Sequence, residues 1–214
     1  MARIIVFGGH GKVALQLARI LSERGEQVTS VFRNPDHSDE VAATGAEPVV
    51  ADIEQLDTNA LAELLPGHDA VVFSAGAGGG NPARTYAVDR DAAIRVIDAA
   101  GHAGVKRFVM VSYFGAGPDH GVPQDDPFFA YAQAKAAADE HLRASELDWT
   151  VLGPGRLTLD EATGRIAVGE EGKGEVSRAD VALVVAAALS DDSTIRRTIE
   201  FNNGDVPVAE ALAG

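Results

Sequence analysis

Tyr131 and Lys135 stand four residues apart in a stretch whose apolar spacing predicts a helix over 129–145, so their side chains share one face. A phenol with a pKa of about 10 is a poor acid–base group at neutral pH, and an adjacent ammonium is expected to lower that value by stabilising the phenolate. Ser112 closes a predicted strand over 106–112 and adds a hydroxyl that can hold a carbonyl oxygen. Together the three are the catalytic candidates, and their chemistry is carbonyl reduction: the oxygen is held, hydride adds to carbon, and the phenol supplies the proton. A surface tyrosine–lysine pair would show the same spacing, and Tyr113 directly follows the serine.

Such a group needs a hydride source, and the amino terminus supplies a place for one. The apolar run 3–7 ends in Gly8-Gly9-His10-Gly11-Lys12-Val13-Ala14, a G-x-x-G-x-x-A turn between a predicted strand and a predicted helix. Gly8 permits the tight turn, Gly11 lets the backbone approach a pyrophosphate, and Ala14 is small enough for close packing of helix on strand. The helix start then presents free N–H groups and a positive dipole end to the phosphates. A dinucleotide is the expected ligand. The strand over 27–32 ends in Phe32-Arg33-Asn34-Pro35, where an NAD site usually carries an acid. Arg33 can bond a ribose 2′-phosphate and stack on adenine, which makes NADP(H) the expected cofactor over NAD(H). Asp52 and Ile53, after the third strand, are candidates for the adenine, and Ser74, Ala75 and Gly76, after the fourth, for the ribose.

These residues must be positioned by a scaffold. Predicted strands at 3–7, 27–32, 47–51, 70–74, 106–112 and 148–152 alternate with helical or polar stretches, including helices from Lys12 and over 85–100. That order implies an α/β doubly wound parallel sheet with helices on both faces. Beyond Gly153 the texture shifts to loops and short strands (153–158, 163–174), a helix over 179–189 and a last strand at 198–201. At 214 residues the chain suits one domain, 1–152 as dinucleotide-binding core and 153–214 as a small substrate-side cap with closing elements.

A formal charge of −14 excludes nucleic acid and anionic membrane surfaces as natural partners. No cysteine is present, so disulfides and thiolate chemistry are excluded. The six histidines show no metal-ligand spacing, and no metal is expected. The longest apolar run, 181–189, is about half of a membrane span of roughly 18 residues. A cytoplasmic protein, monomeric or weakly dimeric, acting on a small molecule is the expectation.

Five segments resemble the atypical short-chain dehydrogenases/reductases, in the branch of biliverdin/flavin reductases and NmrA-like NAD(P)-binding proteins. They are I-I-V-F-G-G-H-G-K-V-A (4–14), V-K-R-F-V-M-V-S (105–112), Y-A-Q-A-K-A-A-A-D-E-H-L (131–142), L-D-W-T-V-L-G-P-G-R-L-T (147–158) and V-S-R-A-D-V-A (176–182). The resemblance implies a Rossmann-type fold, NAD(P) binding and reductase or epimerase activity, with Ser112, Tyr131 and Lys135 as the catalytic group. It further implies that Pro154, Gly155 and Leu157 line the nicotinamide side and that Arg178 and Asp180 anchor the cap helix; Lys135, by its own place beside the phenol, is also a candidate for the nicotinamide ribose. The chain departs from the pattern at Ala14, in place of a third glycine, and at Gly153, where relatives often carry arginine. Ser112 and Tyr131 are also 19 positions apart, so the loop between them must fold back. The leading reading is an NADP(H)-dependent oxidoreductase acting on a small carbonyl, quinone or flavin-like acceptor. A non-catalytic NADP(H)-binding redox sensor and an epimerase-like enzyme are the alternatives.

Overall fold

The computed structural model describes residues 1–78, 80–169 and 174–213. The chain runs β1 (Arg3–Phe7), α1 (Lys12–Glu23), β2 (Gln27–Phe32), α2 (Ser38–Ala42), β3 (Glu47–Val50), α3 (Thr58–Ala62) and β4 (Ala70–Phe73). One long helical run follows: α4 (Pro82–Thr85), a π-helical stretch (Tyr86–Ala92) and α5 (Ala93–Ala103). Then come β5 (Arg107–Val111), α6 (Phe129–Arg143), β6 (Asp148–Pro154), β7 (Arg156–Thr158), β8 (Arg165–Val168) and β9 (Glu175–Ser177). The chain closes with α7 (Arg178–Leu189), β10 (Arg197–Asn203), β11 (Val206–Pro207) and α8 (Val208–Leu212).

Nine strands form one sheet in the order β11-β8-β10-β6-β5-β4-β1-β2-β3. From β3 to β10 every neighbour is parallel, and only β8 and β11 pair antiparallel. The cause lies in the strands themselves. Their apolar runs are continuous, so successive residues bury on opposite faces: Ile4 and Val6 enter one core, Ile5 and Phe7 the other. The first core is closed by α1 and α7, through Leu17, Leu21, Val181 and Val184, and the second by α3, α5 and α6, through Leu61, Val96, Ile97 and Leu142. Each of these side chains contributes about 1.5–3 kcal/mol by leaving water. The sheet order reverses between β1 and β4, and a crevice opens there at the carboxyl ends of the strands.

The segment expected to cap the substrate side divides in two. β10 pairs with β6 in register Arg197 opposite Thr150, and α7 lies in the first core, so both extend the main layers. β7 and β9 form a separate two-stranded parallel sheet. Residues 170–173 of the stretch read as loops and short strands lie outside the described residues. Among the described residues no helix is long and apolar enough to cross a membrane.

Asp180 ties these pieces together. Fully buried, it accepts from Thr163 N and Gly164 N through Oδ1 (3.0 and 2.7 Å) and from Ser177 Oγ through Oδ2 (2.9 Å). Ser177 caps α7 in return by accepting from Asp180 N (2.9 Å), so one S-x-x-D box serves the helix start and the preceding loop. Asp180→Ala strips the part-buried backbone donors of Thr163 and Gly164 of their acceptor and is expected to cost about 2–3 kcal/mol. Urea unfolding checks this: a loss of less than ~1 kcal/mol at unchanged slope would show that the loop is held by other contacts.

Candidate functional site

Gly8 follows β1 with φ of +86°, and a Cβ there would stand 2.5 Å from Ala75 Cα. Its N–H and that of Gly9 both donate to Val31 O, at 3.1 and 2.8 Å, which fixes the turn onto β2. Gly11 is the N-cap of α1 and supplies no side-chain cap, so the first-turn N–H groups of the helix point into the crevice unsatisfied by a cap. A Cβ on Gly11 would meet Gly8 O at 3.1 Å and Ser74 O at 3.8 Å. The space beside Gly11 is therefore bounded by little else of the protein, which is the opening a pyrophosphate requires.

Three cavities join around this turn. The first, about 290 Å³, is lined by Gly8, His10, Gly11, Arg33, Asp52, Ile53, Ser74, Ala75 and Gly76, and also by Glu54, Arg84 and His37. The second, about 290 Å³, shares Gly11, Ser74, Ala75 and Gly76 with the first and adds Lys12, Val13, Asp89, Ser112, Tyr131, Lys135, Leu157 and Arg178. The third, about 780 Å³, shares Ser112, Tyr131, Leu157 and Arg178 with the second. It adds Pro154, Gly155, Tyr113, Phe114 and Phe128. The shared residues make one track, from a polar end near β2 to a pocket with aromatic walls beyond β5. The structure thus gathers the residues singled out in the sequence along a single cleft, except Gly9. A Cβ on Gly9 would lie 2.6 Å from Ser30 Cβ, so this glycine faces β2.

At the polar end Asp52 Oδ1 accepts from Glu54 N (3.0 Å), which rounds the loop after β3. Arg33 Nη1 and Arg84 Nη2 both donate to Glu54 Oε1, at 3.1 and 2.8 Å. His10 stacks on His37 with ring centroids 3.5 Å apart and bonds Glu40 (2.7 Å).

At the other end lies a buried charge group. Lys135, 1% exposed, donates to Val111 O (2.7 Å), and the carboxylates of Asp89 and Asp139, 1% and 0% exposed, act on it electrostatically. Asp89 accepts from Ala77 N (3.0 Å), and Asp139 Oδ2 accepts from Ser112 Oγ (2.5 Å). Burial raises both carboxyl pKa values, and Lys135 opposes the rise. The phenol of Tyr131 is pushed above its ordinary value, first by burial and then by Asp89 and Asp139. The sequence pattern implied the reverse, a phenol lowered by Lys135. The correction has a plain cause: the phenol is buried, and the two acids beside it, which the Y-x-x-x-K spacing does not include, oppose its ionisation. Ser112 Oγ likewise gives its proton to Asp139 rather than to the cavity.

Tyr113, Phe128 and Tyr131 pack as a triangle with centroids 5.2–5.6 Å apart and form the wall of the third cavity. Phe129, next to Phe128 in the chain, instead meets His120 edge to face (5.6 Å), and His120 accepts from Val122 N (3.1 Å). Arg178 donates to Leu157 O and Thr158 O (3.1 and 2.8 Å), anchoring α7 to β7. Asp89, Asp139, Glu54 and Arg84 escaped the sequence reading. Asp139 carried a signal, since Tyr131, Lys135 and Asp139 recur at every fourth position of α6 and so lie along one stripe. Asp89 carried none, because it reaches the site through the π-helical stretch, a geometry that the surrounding helical period does not announce.

A reversing parallel sheet, a glycine turn at an uncapped helix start and a cleft running past both define a nicotinamide-dinucleotide-binding protein of the Rossmann type. The chain belongs to the family described as NAD(P)H-binding, which matches residues 8–192, in keeping with its resemblance to atypical short-chain dehydrogenases/reductases. It is 33% identical over 213 residues to YhfK of Bacillus subtilis, named as an uncharacterised sugar epimerase, with 98% of each chain covered. A solved structure from Bacillus halodurans, provisionally described as an NAD-dependent epimerase/dehydratase, superposes with a TM-score of 0.91 at 35% identity, covering 100% of this chain and 99% of that one. The oxidoreductase ylbE from Lactococcus lactis does so at 0.88 and 30%, covering 99% and 95%.

Proposed function

We propose that the protein is an NADP(H)-dependent reductase that delivers hydride to a small carbonyl, quinone or flavin-like acceptor, with Tyr131 as proton donor. The observation that carries this reading is the position of Tyr131, Lys135 and Ser112 where the dinucleotide track meets the aromatic pocket. Bound in the track, the nicotinamide would supply hydride. Arg33 would face a 2′-phosphate, Gly11 and the start of α1 the pyrophosphate, and Lys135 the ribose beside the nicotinamide. As hydride adds to the acceptor carbon, the electron pair of the double bond moves to oxygen and takes the Tyr131 proton. Ser112, whose hydroxyl donates to Asp139, would turn that donor to the same oxygen as negative charge develops there.

A sugar epimerase is the second reading, favoured by the name of YhfK. That chemistry begins by oxidising an alcohol and needs a phenolate base. Burial and the nearby acids Asp89 and Asp139 raise the pKa of Tyr131 and so disfavour the phenolate that the epimerase reading requires.

Tyr131→Phe is expected to lower kcat for NADPH-dependent reduction by about 10²–10⁴-fold while NADPH affinity changes less than about twofold. Steady-state turnover with quinone and aldehyde acceptors, alongside fluorescence titration of NADPH, measures both. Turnover unaffected by the substitution would remove Tyr131 from the mechanism.

A further inference from the structure

Glu54 is an odd neighbour for a phosphate. It lines the first cavity beside Arg33, yet its carboxylate occupies the place where a second anion would have to settle: Oε1 accepts from Arg33 Nη1 at 3.1 Å and Arg84 Nη2 at 2.8 Å. The two arginine side chains are 54% and 40% exposed, whereas Glu54 is 16% exposed and lies between them. It is also delivered by a stiff loop. Its own N–H is held by Asp52 Oδ1 (3.0 Å), and Arg95 from α5 donates to the carbonyl oxygens of Ile53 (2.9 Å), Glu54 (3.4 Å) and Leu56 (3.0 Å). A wandering surface glutamate would have no such support. Arg84 Nε is buried without a partner among the described residues, so this guanidinium has a donor still to satisfy.

Charge decides what the arrangement does. Two guanidiniums and one carboxylate sum to +1, and releasing the carboxylate leaves +2, the complement of a phosphate monoester carrying about −1.5 to −2. A carboxylate shared by two arginines also repeats the contacts that a phosphate makes with the same fork-shaped donors. We infer that Glu54 is an internal stand-in for the cofactor's 2′-phosphate: it keeps Arg33 and Arg84 aimed at the cavity, competes with the phosphate for both, and thereby sets how strongly the site prefers a phosphorylated dinucleotide. Arg84 becomes the second phosphate ligand once Glu54 is displaced. This rests on the NADP(H) reading above and extends it to two residues outside the glycine turn and the end of β2.

Isothermal titration of the full chain with 2′,5′-ADP and with 5′-AMP tests the inference, since the two probes differ only in the 2′-phosphate. Glu54→Gln is expected to tighten 2′,5′-ADP about tenfold and to move 5′-AMP less than about twofold. Adding Arg84→Met in that background should remove most of the gain. Glu54→Gln leaving 2′,5′-ADP within about twofold of the parent, or weakening it, overturns the competition, and a gain that survives Arg84→Met overturns the role of Arg84. The parent protein reports separately on the cofactor reading. Equal affinity for the two probes there sinks the NADP(H) preference, whereas Glu54 still stands or falls by whether its removal creates a preference. Thermal unfolding of each variant confirms that a lost affinity is not a lost fold.

Discussion

Lys135→Met is expected to cost about 3–5 kcal/mol of folding stability at neutral pH, more than a methionine of similar length would cost by packing alone. The reason is the company the ammonium keeps. Asp89 and Asp139 are both buried within electrostatic reach of it, and burial already raises both pKa values against the opposing pull of Lys135. Without the cation each acid must either hold a proton or sit charged in the interior.

The pH dependence has a definite sign. A carboxyl whose folded pKa lies above its unfolded value binds more protons in the folded state, so its contribution to stability falls as pH rises between the two. Both acids rise from the ordinary aspartate value of 3.8 in the parent, and they rise further in Lys135→Met. The deficit of the variant should therefore be largest at neutral pH and shrink on acidification toward that ordinary value. Asp139→Asn introduced into the same variant removes one of the stranded acids and should recover a large part of the loss. Urea unfolding of the single and double variants at neutral and mildly acidic pH makes the comparison. A deficit that ignores pH would mean that Lys135 matters for its shape rather than its charge.

How much of this was legible in the sequence depends on whether a residue's environment is set locally. The bounds of β1 and β2 were readable because each apolar run is closed by a glycine or proline signal, and α1 because Val13, Leu17 and Leu21 repeat at helical spacing. The glycine turn was readable for the same local reason. β11 and α8 were not, since they span two and five residues and are held by pairing with β8 and by burial of Val208 and Leu212. The electrostatics of the catalytic end were misread rather than unread. Y-x-x-x-K names two members of a buried group, and the group's charge is set by Asp89, more than forty positions upstream, and Asp139, one turn downstream. Arg84 and Glu54 show the same limit at the other end, since thirty positions separate them and only the sheet order brings them together. The role of β10 and α7 was also non-local, because a strand that pairs with β6 and a helix that packs on α1 look, in sequence, like any strand and helix after a loop.

Gly8 and Gly11 lie three residues apart in one turn, yet substitution should separate them completely. Gly8→Ala places a Cβ 2.5 Å from Ala75 Cα and 2.6 Å from Ala75 N, backbone atoms of the loop after β4 that cannot swing aside, and does so at a φ of +86° that alanine resists. The expected loss is about 4 kcal/mol or more, with dinucleotide binding lost as the turn is lost. Gly11→Ala meets Gly8 O at 3.1 Å and, in ordinary van der Waals contact, Ser74 O at 3.8 Å, at an ordinary φ of −63°, and should cost no more than about 1–2 kcal/mol. Its methyl group instead projects into the space left for the pyrophosphate at the start of α1, so NADPH affinity should fall about 100-fold in a protein that still unfolds cooperatively. Thermal unfolding paired with NADPH fluorescence titration reads both variants. If Gly11→Ala bound NADPH as the parent does, the phosphates would have to lie elsewhere along the track, and the uncapped start of α1 would lose its assignment. If Gly8→Ala folded with parental stability, the close contact between the turn and Ala75 would not be a constraint on the site.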